Sequence, residues 1–259
     1  MQKLFILIAF SWSASFAQPA SYTTSNAHSH NDYNQTAPLL TAYYAQFGSI
    51  EVDVFLDKNE LIVAHTAKDL EQHRTLEDLY LKPLQAFMQS NNGHVYVDST
   101  RKLQLMIDIK TDAAATLNKL IALLQKYSQL TKSKSLRILI SGNKPDPSTY
   151  TSYPSYIWFD GLLSVQYSKE ALSRIAMLGD NFLNYSRWKG EGNAPAKDWA
   201  KLQSAVIRAH VMKKPVRFWN TPDFMDAWEQ LIALGVDYIN TDSIRSLASF
   251  LKQKQLAKN

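Results

Sequence analysis

The 259-residue chain has no cysteine, which removes disulfide staples, thiolate catalysis and a lipoprotein anchor at once. Glycine is scarce, at eight residues, and no Gly-rich loop opens the first helical segment, so the phosphate cradle of the dinucleotide and P-loop folds is missing. No Pro/Ser/Gly-rich linker, low-complexity run or internal repeat divides the chain, which points to one domain. Beyond the first seventeen residues no stretch approaches the roughly 20 apolar residues that span a bilayer. Charge of one sign is only in mild excess, at a formal +5. The basic residues of "KSKSLR", "HVMKKPVR" and "KQKQLAK" are dispersed, without the aromatic-interleaved stripe of a nucleic-acid binder.

What is present is a globular composition, 46% hydrophobic and 20% charged, with enough apolar material for one large core. The first seventeen residues stand apart. "MQK" is a short basic start, "LFILIAF" an apolar run, and "SFA" before Gln18 a small-x-small processing site, together the pattern of a signal peptide. The expectation is a mature chain of residues 18–259, exported to a periplasm or the exterior and monomeric. Its net charge of about +4 after loss of Lys3 would favour an anionic substrate or headgroup.

After residue 22, short β-branched runs alternate with amphipathic stretches. Strands are expected at "SYTTSNA", "SIEVDVFL", "KLQLMIDI", "LRILIS", "GLLSV", "NFLNYS", "VRFWN" and "VDYINTD", with helical patterns at 38–47, 74–90, 112–129, 168–178, 195–213, 222–233 and 244–256. "ELIVAH" reads as a hairpin extension of the second strand. About eight strands alternating with helices indicate a (β/α)8 barrel, with a doubly wound open sheet as the alternative. The pattern is weakest over 141–167, where a Pro/Tyr-rich loop takes the place of a helix.

Two of these strands carry chemistry. In "SIEVDVFL", Ile50, Val52 and Val54 alternate with Glu51 and Asp53, so both carboxylates share a face. Facing a barrel interior, a bare carboxylate pair is costly and calls for a divalent cation, with oxygen donors suited to Mg²⁺ or Ca²⁺. "LQLMIDIK" repeats the pattern, placing Asp108 and Lys110 on one face at the strand end where barrel enzymes keep their catalytic groups. Asp108 would add a third ligand, and Lys110 a charge for a phosphate or oxyanion. His65 closes "ELIVAH", and "NAHSHNDYN" supplies further histidines after the first strand. Two imidazoles facing each other across a pocket suit acid–base displacement at phosphorus.

Taken together, "AHSHND…GSIEVDVFLDKNELIVAH…LMIDIK…VRFW…LGVDYINTD" resembles the PLC-like phosphodiesterase superfamily, which includes glycerophosphodiester phosphodiesterases and sphingomyelinase D-type phospholipases. The form "HSHNDY" is most similar to the altered inheritance of mitochondria protein 6 branch. The resemblance implies a TIM barrel that cleaves a small-molecule or lipid phosphodiester of the glycerophosphodiester or headgroup class, using one divalent cation. It places the first catalytic histidine on His28 and the second on His65, the metal ligands on Glu51, Asp53 and Asp108, and a charge-holding lysine on Lys110. Asn31 and Trp219 match further pocket residues. Ser29 and His30 stand where glycerophosphodiesterases carry Arg and Gly, which makes His30 a second candidate for the catalytic role or for substrate binding.

Asn184, Trp188 and Trp219 fall at strand ends and are candidates to cup a headgroup. The Tyr-rich "TYTSYPSYIWF" is a candidate peripheral membrane contact. Two rivals remain from other classes. A zinc amidohydrolase would explain "HSH", yet "LRILIS", "GLLSV" and "NFLNYS" supply none of the later-strand histidines it needs. A non-catalytic barrel binding phosphate esters or glycans would not need two histidines and three carboxylates.

Overall fold

The computed structural model describes Pro19 and residues 21–257; the expected leader and its processing site lie outside these residues. Nine strands form one sheet: β1 (Ala27–Ser29), β2 (Ser49–Asp57), β3 (Glu60–Val63), β4 (Leu103–Ile109), β5 (Leu136–Gly142), β6 (Ile157–Leu162), β7 (Ile175–Asn181), β8 (Val216–Trp219) and β9 (Ile239–Thr241). The order β8-β7-β6-β5-β4-β2-β1-β9 is parallel throughout, and β3 hangs antiparallel on β2. A single bridge between Arg217 and Tyr238 joins β8 to β9, with the amides of Asp237 and Tyr238 both donating to the Val216 carbonyl at 3.1 Å. Eight parallel strands thus make a nearly closed barrel.

Helices lie outside it: α1 (Leu40–Tyr44), α2 (Lys82–Ser90), α3 (Ala113–Leu124), α4 (Ser128–Lys132), α5 (Lys169–Arg174), α6 (Ala196–Val211), α7 (Met225–Leu234) and α8 (Ile244–Leu256). Their apolar stripes explain the arrangement. In α6 the buried residues are Leu202, Ala205, Val206 and Ala209, the i, i+3, i+4, i+7 spacing of a helix lying on a sheet. Asp112 caps α3 by accepting from the Ala115 amide, and Gly235 at φ 86° ends α7 in the left-handed region that glycine enters freely.

The alternating strands divide the core in two. Ile50, Val52 and Val54 of β2 and Leu105, Ile107 and Ile109 of β4 belong to the shell between sheet and helices. Met106, Leu139, Ala176 and Met177, with Trp158 and Tyr238 against them, fill the barrel itself. Side chains alternating between those layers leave Glu51, Asp53 and Asp108 on the interior face.

Three strand expectations are corrected. The first strand begins at Ala27, because Thr23 caps a 3-10 turn over Thr24–Asn26. The fifth expected strand, "GLLSV", begins earlier, as β6 at Ile157–Leu162, and keeps only Gly161 and Leu162 of that stretch. The sixth expected strand is not "NFLNYS" but β7, Ile175–Asn181, so the helix expected over 168–178 stops at Arg174. "IAML" looks like helix on propensity, but it is buried on both sides, the continuous apolar run of a parallel strand. Arg174 fixes the boundary by donating to the carbonyls of Tyr153, Pro154 and Ile157. Over 147–152 a 3-10 turn replaces a full helix, as the Pro/Tyr-rich loop led one to expect.

Candidate active site

The polar stretch after β1 is held in place by Asp32. This carboxylate is fully buried and accepts from the Leu39 amide at 2.5 Å, the Ser29 hydroxyl at 2.8 Å and the Tyr80 hydroxyl at 2.9 Å. It fastens the turn carrying His30 and Asn31 to the barrel rim. Asp32→Ala strands those donors, and should lower the unfolding free energy by about 2 kcal/mol in urea titrations. A variant as stable as the parent would show that the turn does not depend on it.

Glu51, Asp53 and Asp108 converge, with one ligand atom from each within 4.8 Å of the others. The β2–β4 register sets Asp53 beside Asp108. Two cations enter the group. Lys110 Nζ lies 3.0 Å from Asp53 Oδ2 and 3.1 Å from Asp108 Oδ1, and Arg217 Nη1 lies 2.5 Å from Glu51 Oε2. Burial would raise the Glu51 carboxyl, but Arg217, and then His28, hold it well below the usual range. Burial first, and the Glu51 charge second, push Asp108 up to about 6.

Three carboxylates against one lysine and one arginine leave negative charge in a low-dielectric site that a protonated His30, 3.9 Å from Glu51, or a bound cation can balance. Asp53 Oδ2 receives Tyr33 Oη at 2.7 Å, His65 Nδ1 at 3.0 Å and Lys110, whereas Asp53 Oδ1 is buried without a hydrogen-bond partner. At the end of β5 a Cβ on Gly142 would come 2.1 Å from Asp108 Oδ1, so glycine there keeps the carboxylate clear. A divalent cation with oxygen donors fits this set.

The group opens into a cavity of about 360 Å³ at the C-terminal ends of the strands, rimmed by His30, Asn31, His65, Lys110 and Trp219. His65 is held by Asp53 through Nδ1, its side chain more than half exposed. His30 Nδ1 pairs with Asp242 at 2.9 Å, and its Nε2 lies 3.9 Å from Glu51 Oε1. Burial lowers the His30 pKa, but the Asp242 hydrogen bond and the Glu51 charge outweigh it, and the net shift is upward. In both rings a carboxylate on Nδ1 fixes the tautomer and leaves Nε2 for the substrate side.

His28 is placed differently from the sequence expectation. Its ring is fully buried within β1, with Nδ1 2.8 Å from Ser49 Oγ, Nε2 2.9 Å from Glu51 Oε2, and Arg217 against the same nitrogen. Burial first, and Arg217 second, bring its pKa down to about 3. A neutral ring with both nitrogens taken has no atom to offer a substrate; of His28 and His30, it is His30 that faces the cavity. Asn184 also falls outside the cavity, where it donates to Asp180 Oδ1 at 2.9 Å. Trp188 lines an adjoining groove of about 420 Å³ that shares His30.

Further groups of the site carry unequal signals in the sequence. Arg217 was legible: in "VRFW", Val216 and Phe218 pack in the shell, so the alternation that exposes Trp219 to the interior also sends Arg217 there. Asp160, buried on β6 with Ser141 donating to it at 3.1 Å, was hidden by the misplaced strand. Tyr33 and Asp242 carry no local signal, since their roles depend on loops folding back over the rim.

Comparison with known proteins finds the same fold and the same family resemblance. An AIM6-like phosphodiesterase domain matches residues 20–134, and the glycerophosphoryl diester phosphodiesterase family matches residues 215–243. Altered inheritance of mitochondria protein 6 from Eremothecium gossypii is 26% identical over 86% of this chain and 68% of its own length. The homolog from Arthroderma benhamiae is 24% identical over 86% of this chain and 82% of its length. The crystal structure of a glycerophosphodiester phosphodiesterase from Parabacteroides distasonis superposes with a TM-score of 0.56 at 15% identity, covering 89% of this chain and 98% of that one. The TIM-barrel fold and the resemblance read from the motifs are thus both found.

Proposed function

We propose that this chain, similar to the AIM6-like branch of the phosphodiesterase barrels, is a metal-dependent phosphodiesterase acting on a glycerophosphodiester or a phospholipid headgroup ester. The observation that supports it most is the juxtaposition of His30 and His65 across one cavity from a three-carboxylate cluster. Glu51, Asp53 and Asp108 would hold a Mg²⁺ or Ca²⁺ ion, which when bound supplies positive charge at the phosphoryl oxygens. The chain's own groups do the rest. One of His30 and His65 takes the proton from the attacking oxygen as its bond to phosphorus forms. The other gives a proton to the leaving alcohol as the old P–O bond breaks. Lys110 sits where it can hold charge on the non-bridging oxygens. A substrate with a hydroxyl next to the ester would give a cyclic phosphate first.

Export of a mature, monomeric chain beginning near Gln18 belongs to the same proposal, and intact-mass measurement of the secreted protein checks it. Hydrolysis of bis(p-nitrophenyl) phosphate with Mg²⁺ or Ca²⁺ tests the activity, and a panel of glycerophosphodiesters, lysophospholipids and sphingomyelin followed by phosphorus NMR tests the substrate. No turnover on any member would leave a binding protein. Asp108→Asn should weaken the calorimetric affinity for Mg²⁺ or Ca²⁺ by about tenfold or more while the fold persists. Unchanged affinity would remove Asp108 from the ligand set.

A further inference from the structure

The barrel has a second cavity at the opposite end from the first. Gly48, Leu103, Leu136, Trp158 and Tyr238, all at strand N-termini, border a space of about 800 Å³, within the range of small-molecule sites. In this fold the N-terminal face normally serves stability and carries no chemistry. Here the lining is strongly cationic: Arg101, Lys102, Lys134 and Arg137 meet a single acidic residue, Asp98. Of these four cations only Arg101 has a carboxylate partner among the described residues, Asp98 at 3.7 Å. Lys102, Lys134 and Arg137 are exposed and unpaired, and the Arg137 guanidinium lies 4.8 Å from the Trp158 ring centre. An arginine braced on an aromatic face keeps its donor fork for a planar or tetrahedral anion.

A second feature is independent of charge. Gln104, on the interior face of β4, is 3% exposed and borders the same cavity. Its Nε2 donates to Met177 Sδ at 3.0 Å and Ser49 Oγ at 3.4 Å, but its Oε1 is buried with no partner. A buried amide oxygen left unpaired is costly, and a donor brought into the cavity would satisfy it.

We propose that the N-terminal mouth of the barrel binds a small phosphate monoester that carries a hydroxyl group. The doubly charged phosphoryl group sits among Arg137, Lys134 and Lys102, and the hydroxyl donates to Gln104 Oε1. A dianion matches several unpaired cations better than a carboxylate does, and the guanidinium fork can hold two of its oxygens. The alcohol part supplies the donor that inorganic phosphate, seated at the cationic rim, cannot extend to the buried amide.

The site does not rest on the catalytic reading and is scored by binding alone. Calorimetric titration with glycerol 3-phosphate is expected to show a binding event that Arg137→Glu weakens by about tenfold or more, the ordinary consequence of reversing a charge that faces an anion. Arg137 is exposed, so the variant should keep the parent melting temperature, and hydrolysis of bis(p-nitrophenyl) phosphate at the far end of the barrel should be unchanged. Arg137→Lys, which keeps charge without the fork, should fall between the two. Identical isotherms for the parent and Arg137→Glu would overturn the site. Inorganic phosphate binding as tightly as glycerol 3-phosphate would overturn the contact with Gln104.

Discussion

Arg217→Met is expected to lower the unfolding free energy by about 3–5 kcal/mol, the cost of leaving one member of a buried ion pair without its partner. Glu51 is 3% exposed, and among the described residues no other lysine or arginine pairs with it, His30 Nε2 lying 3.9 Å from its far oxygen. Arg217 Nη1 also reaches Asn240 Oδ1 at 3.3 Å, and a methionine of similar length restores neither contact. Urea unfolding at neutral pH measures the loss. The double variant Arg217→Met, Glu51→Gln should recover a large part of it, because the uncompensated charge is removed as well. A single variant within about 1 kcal/mol of the parent would mean that Glu51 is satisfied without Arg217.

Alanine at His30 or at His65 should each reduce hydrolysis of bis(p-nitrophenyl) phosphate by roughly 10² to 10⁴, the range of a positioned acid or base, with the fold retained. His65 has a 56% exposed side chain, and His30 stands at the cavity rim, so neither carries packing on which stability depends. His28→Ala should behave in the opposite sense, with its main loss in stability, since it empties a buried site bonded to Ser49 and Glu51. Full activity in both His30→Ala and His65→Ala would remove the acid–base pair. Loss of turnover in a stably folded His28→Ala, with His30→Ala unaffected, would return the role to His28.

The acidic strands were legible because period-2 alternation has one meaning in a barrel: each second residue faces inward. Glu51, Asp53, Asp108 and Lys110 follow from that rule alone. The same rule points to Arg217, two residues before Trp219 on the same face of β8. The choice between His28 and His30 turned on where a three-residue strand begins. With β1 at Ala27–Ser29, His28 is inside the strand and His30 just past its end, and a shift of one or two residues exchanges burial for exposure. β7 was hidden for a different reason. A strand covered on both faces has no alternation, and Ala, Met and Leu are equally at home in a helix. Asn184 was placed at a strand end that proved to be a turn beyond it.

Among the described residues, the seam between β8 and β9 is the interval of the barrel joined by a single bridge. Arg217 lies on one side of it, and its side chain crosses to Asn240 on β9, His28 on β1 and Glu51 on β2. The barrel is therefore latched by the same charges that sit beneath the cavity. Amide exchange at Val216, Asp237 and Tyr238 would report this latch directly, since opening there requires the Glu51–Arg217 contact to part. A ligand that draws Glu51 away from Arg217 is expected to speed exchange at those amides, and one that leaves the pair intact to leave the staves shut.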